Sequence, residues 1–220
     1  MLLKEFISNC ENKNFSNYNK KDWVDYKNLS KHFTDENIPG KVCEEWKNFD
    51  TSVLHKASWA LPDLLKKNTS LNKKTEYKNC VVLLDGVYNE SLSNIKNDSE
   101  INILSLEKYI NYDKEAKNLI YNSPLKYSEN RISGINDTKS TTLLSLNTIL
   151  NNGIALVFDS KKDSHDSFKI LNLTTKKNTL INPYVLITCK QNSNVNVIDI
   201  ADNRDNNWIN PFYEIYVKEK

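Results

Sequence analysis

With 220 residues, 39% of them hydrophobic and 26% charged, the chain has room for one ordinary domain or a compact domain with an extension, and it belongs to neither the collagen-like nor the strongly disordered class. A mean hydropathy of -0.62 makes it polar for a folded protein. Thirty basic and 28 acidic residues leave a net charge of +2, with lysines interspersed among Asp and Glu, so no nucleic-acid-binding face is indicated.

In chain order, the first predicted element is a helix. Trp23, Tyr26, Leu29 and Phe33 recur close to helical spacing, with Asp22, Asp25, Lys27 and Lys31 between them, as on a surface helix with one buried stripe. Ile38-Pro39-Gly40 stops it. A polar segment with aromatic anchors follows, from Cys43 through Trp46 and Phe49 to Trp59, and residues 70–78 are too polar to bury. Cys80 to Leu84 is a short apolar run ended by Asp85-Gly86, and Val87-Tyr88 resumes it, which predicts a strand and a tight hairpin turn. Ile101 to Leu106 is a second apolar run. Leu143, Leu144, Leu146, Ile149 and Leu150 mark a helix over 141–150, with Asn151-Asn152-Gly153 as its stop.

From Gly153 the period changes. Ile154 to Phe158, Phe168 to Leu173, Tyr184 to Cys189, Val195 to Ile200 and Phe212 to Val217 are β-rich runs whose starts lie 14, 16, 11 and 17 residues apart. Short strands at such spacing suit a sandwich, a barrel or a β-solenoid, and periodicity does not choose among them. The last run stops at Lys218-Glu219-Lys220 with no polar cap behind it, so a solenoid here is expected to be cut short at its C-terminal end. Only four glycines stand beside 33 asparagines, and Asn is expected to close turns that usually take Gly, since it tolerates the left-handed backbone region.

The familiar chemical motifs are missing. Gly40-Lys41 is followed by Val42 and preceded five positions earlier by Asp35, which is no phosphate-binding loop, and neither G-x-G-x-x-G nor H-E-x-x-H occurs. His32, His55 and His165 have no ligand partner at helical or hairpin spacing and read as solvated side chains. Glu44 and Glu45, being adjacent, point in different directions and do not converge on one substrate; Trp46 between them and Lys47 reads as a docking anchor. Cys10, Cys43, Cys80 and Cys189 lie 33, 37 and 109 residues apart, which matches neither a disulfide framework nor an iron–sulfur ligand pattern. Cys189 is in phase with Val185 and Ile187 and reads as a small core residue, as does Cys80 beside Val81 and Val82, whereas Cys10 and Cys43 sit in polar surroundings. Catalytic, cofactor-binding and metal-binding residues are accordingly expected to be none. The opening residues Met1 to Ile7 are interrupted by Lys4 and Glu5, and no apolar run reaches the roughly 18 residues of a membrane span, so a cytoplasmic location is expected.

Several segments in order resemble one family. Ile38-Pro39-Gly40-Lys41-Val42-Cys43-Glu44-Glu45-Trp46-Lys47-Asn48-Phe49 is similar to the N-terminal signature of the SufD family of iron–sulfur cluster assembly proteins. Val81 to Ser93 resembles that family's next segment, a strand, an Asp-Gly turn and a Leu-Ser ending, and Leu146-Asn147-Thr148 resembles the element before its β region. Ile181 to Ile187, Asn194 to Ile200 and Asn210 to Ile215 resemble successive rungs. Over about residues 15–217, the resemblance implies a mainly β fold with an N-terminal α-rich region: residues 1–150 carrying helices and a short hairpin, and residues 151–220 forming the first rungs of a right-handed parallel β-helix. It implies a scaffold subunit rather than an enzyme, working with SufB and the ATPase SufC, with the iron–sulfur cluster assembled with SufB and no cofactor held by this chain. It also implies that the residues meeting SufC lie outside these 220, so that they alone do not bind it. The competing expectation is a carbohydrate-active or carbohydrate-binding β-helix, for which Asp159, Asp163 and Asp166 form the only acidic cluster in the rung region.

Overall fold

The computed structural model describes residues 47–48, 50–60, 74–96, 101–105, 108–109, 154–158, 167–191, 193–202 and 206–218. The helices expected over 23–33 and 141–150, together with Trp46, lie outside them. The described part is mainly β: a short helix α1 (Ser52–Lys56) precedes ten strands, β1 (Cys80–Leu84), β2 (Val87–Tyr88), β3 (Ile101–Ser105), β4 (Ile154–Phe158), β5 (Phe168–Leu173), β6 (Leu180–Ile181), β7 (Tyr184–Cys189), β8 (Val197–Ala201), β9 (Trp208–Ile209) and β10 (Phe212–Val217).

Three sheets share these strands. The first has the order β2-β1-β5-β8, the second β10-β7-β4-β3, and the third joins β6 to β9. From β4 onward the chain visits the second, first and third sheets in turn, and then visits them again in the same order. Like strands pair in parallel: Ile154 lies beside Val185, 31 residues on, Phe168 beside Val197, 29 on, and Leu180 beside Trp208, 28 on. Tyr184 pairs with Phe212, again 28 on. Strands β2 and β3 are the antiparallel members, one at an edge of each of the first two sheets.

The 28-residue step is also a sequence repeat. Ile181-Asn182-Pro183-Tyr184 returns as Ile209-Asn210-Pro211-Phe212, and the two copies lie in register. Pro restricts the residue before it to extended backbone, so each Asn-Pro corner hands the chain from a two-residue strand to a six-residue one. The corners bond to each other: Asn210 N–H donates to the Ile181 carbonyl at 2.9 Å, the Asn210 side-chain amide to the Asn182 Oδ1 at 2.9 Å, and Phe212 N–H to the Pro183 carbonyl at 2.8 Å.

Period-2 alternation then sorts the side chains into an interior and two outer layers. Val81, Leu83, Ile154, Leu156, Phe158, Phe168, Ile170, Val185, Ile187 and Cys189 form the interior core, where Phe158 and Phe168 meet edge to face at 5.2 Å. The opposite face of the second sheet packs Ala155, Val157, Tyr184 and Leu186 against Tyr109, and that of the first packs Cys80, Val82, Leu84 and Leu171 against Leu92. Because both faces are covered, β1, β4 and β7 are buried at every position, which is why they read as unbroken apolar runs. Strands β8 and β10 have one strand partner each among the described residues and are correspondingly more exposed.

The hairpin between β1 and β2 is the one expected from Asp85-Gly86. Both residues have positive φ, 52° and 83°, as a two-residue turn matched to strand twist requires. A Cβ on Gly86 would meet its nearest atom, the Ile181 Cβ, at an ordinary 3.7 Å, so the backbone angle rather than space favours glycine. The Asp85 carboxylate accepts from the Thr175 N–H at 2.9 Å and hydroxyl at 2.6 Å, which ties the hairpin to the loop after β5. Since β1 also pairs in parallel with all but the first residue of β5, the first sheet draws on residues on both sides of position 150. Beside the third sheet, Ala60 bridges to Thr179, and the buried Trp59 donates its indole N–H to the Leu54 carbonyl and packs on Trp208 at 5.5 Å.

Candidate functional site

Cys80 and Cys189 are both buried free thiols, in different layers: Cys189 lines the interior beside Val185 and Ile187, and Cys80 lies in the outer layer of the first sheet with Val82 and Leu84. Burial pushes the Cys80 thiol up to about 11, partly opposed by the Lys169 ammonium, and burial also raises Cys189. Neither is disposed to be a thiolate near neutral pH, which is the form that acts as nucleophile or metal ligand. Cys10, Cys43, Asp159, Asp163, Asp166, His32, His165, Glu44 and Glu45 lie outside the described residues, and His55 falls within α1. Among the described residues, no group of three or more His, Cys, Asp or Glu side chains is placed to hold a metal ion.

Two polar clusters interrupt the apolar layers, and sequence reasoning singled out neither. Asn172, fully buried on the interior face of β5, donates its amide at 2.7 Å to the carboxylate of Asp199, an exposed residue on the edge strand β8. Asp199 takes the register position beside Ile170, so an apolar column ends in a carboxyl group. Partial desolvation holds that carboxyl above the usual range, although the Asn172 amide, the Ile200 backbone and the nearby Tyr213 hydroxyl favour its charged form. The Tyr213 hydroxyl, from β10, lies near enough for burial and the Asp199 charge to raise its phenol. It closes no hydrogen bond of normal geometry, and the Asn172 Oδ1 is likewise without a partner.

The second cluster sits on the other face of the second sheet. Tyr184, fully buried, donates its hydroxyl to the buried Glu214 one strand away, and the Tyr216 hydroxyl reaches the other carboxylate oxygen at 3.4 Å. Tyr109 and Thr188 share a hydroxyl–hydroxyl contact at 3.3 Å in the same layer. Alternation along β10 turns Tyr213 inward and Glu214 outward, so Asp199 and Glu214 face opposite sides of the wall. Glycoside hydrolysis needs two carboxyl groups flanking one bond at roughly 5–9.5 Å, and these two do not converge.

No protein-family model, curated protein or solved structure matches the chain. The signals for the two clusters are faint but present. In Val197-Ile198-Asp199-Ile200-Ala201, alternation puts Asp199 on the same face as Val197, and superposing the two Ile-Asn-Pro repeats puts Glu214 where Leu186 stands in the preceding copy. Among the described residues, no helix is long and apolar enough to cross a membrane.

Proposed function

We propose that the chain is a non-catalytic scaffold subunit of iron–sulfur cluster assembly, SufD-like in kind, built on a right-handed parallel β-helix. The observation that carries this reading is the recurrence of three sheets in fixed order, with parallel partners 28–31 residues apart and Asn-Pro corners in register. A chain that winds repeatedly through the same sheets gives such an order, and parallel crossovers are right-handed in about 98% of cases, which supports the handedness. The resemblance of Ile38 to Phe49, Val81 to Ser93 and the Asn-Pro segments to the SufD family supports the biological role. Two buried thiols with raised pKa, in separate layers, favour a structural part for those cysteines.

In this reading the protein works in the cytoplasm, the partners are SufB and SufC, ATP hydrolysis belongs to SufC, and the cluster is cargo assembled with SufB. The test is co-expression of the full reading frame carrying these residues with SufB and SufC, followed by affinity capture and size exclusion. A three-component complex is expected, and SufB and SufC eluting together without this protein would overturn the assignment. Anaerobic reconstitution of the chain alone is the second arm. A stoichiometric charge-transfer absorbance abolished by Cys189→Ser would replace the scaffold reading with direct cluster ligation.

A further inference from the structure

We draw no further inference here: the strongest candidate, the sheet edges formed by β8, β9 and β10 where Ile215 and Val217 are exposed, is an apolar face without a partner among the described residues, and nothing in the structure shows what covers it.

Discussion

Replacing Tyr184 with Phe removes one hydroxyl from the polar cluster on the outer face of the second sheet. The ring is fully buried and packs on Phe212 at 5.5 Å, and both features survive the substitution. What is lost is the hydrogen bond to Glu214, whose residue is only 8% exposed. A hydrogen bond to a charged group contributes roughly 1.5–3 kcal/mol, and Tyr216, at 3.4 Å from the other oxygen, is too distant to substitute for it. Tyr184→Phe should therefore destabilise by about 2 kcal/mol. Urea unfolding followed by tryptophan fluorescence reads this as a midpoint lowered by about 1 M with the slope unchanged, given slopes of roughly 1–3 kcal/mol per M. Tyr216→Phe is the control and should cost less than about 0.5 kcal/mol, as expected for a long, part-exposed contact. A double-mutant cycle with Glu214→Gln should recover most of the Tyr184 effect as coupling. A Tyr184→Phe protein as stable as wild type, or a Tyr216→Phe protein equally damaged, refutes the reasoning.

Three further outcomes follow from burial and charge. Leu156, Ile187 and Ile215 occupy one column of the second sheet, yet Leu156 is fully buried and Ile215 is 62% exposed. By thermal or urea denaturation, Leu156→Ala should lose about 2–5 kcal/mol and Ile215→Ala under about 1, and equal losses would contradict the layer assignment. Asp199 has its folded pKa raised mainly by desolvation, so its stabilising contribution is fully present below the unfolded pKa and is lost as pH rises through the folded value. Asp199→Asn does not titrate; its stability relative to wild type should climb as pH rises through and above the ordinary carboxylate range, and a difference that stays constant with pH would disprove the shift. Finally, Cys80 and Cys189 should resist iodoacetamide in the native protein at about pH 8 and react in urea, as read by mass spectrometry; rapid native labelling of either would contradict its burial.

The longer strands were the most legible part of the sequence. Ile154–Phe158, Phe168–Leu173, Tyr184–Cys189 and Phe212–Val217 match their apolar runs residue for residue, whereas β8 begins two residues after the expected Val195. Two-residue strands have no period to detect, so β6 and β9 escaped notice, and with them the third sheet that separates this arrangement from a two-sheet sandwich. Pairing across long separations was equally hidden: β1 lies beside β5 although Cys80 and Lys169 are 89 residues apart. The inward phase of Cys189 followed from Val185 and Ile187. The polar clusters did not emerge because Asn172, Asp199 and Glu214 bond between strands, and a single strand's pattern says nothing about its neighbour.

Among the described residues, the non-glycine positions with positive φ are Asn79, Asp85, Asn178 and Asn206, so asparagine does take up the left-handed corners as the composition suggested. This choice acts on the unfolded chain as well. Glycine at such a corner forfeits more conformational freedom on folding than any other residue, whereas an asparagine enters folding with fewer states to lose and accepts some local strain in return. Identity still matters where a corner is buried, as at Asp85, whose carboxylate holds the loop after β5 through Thr175.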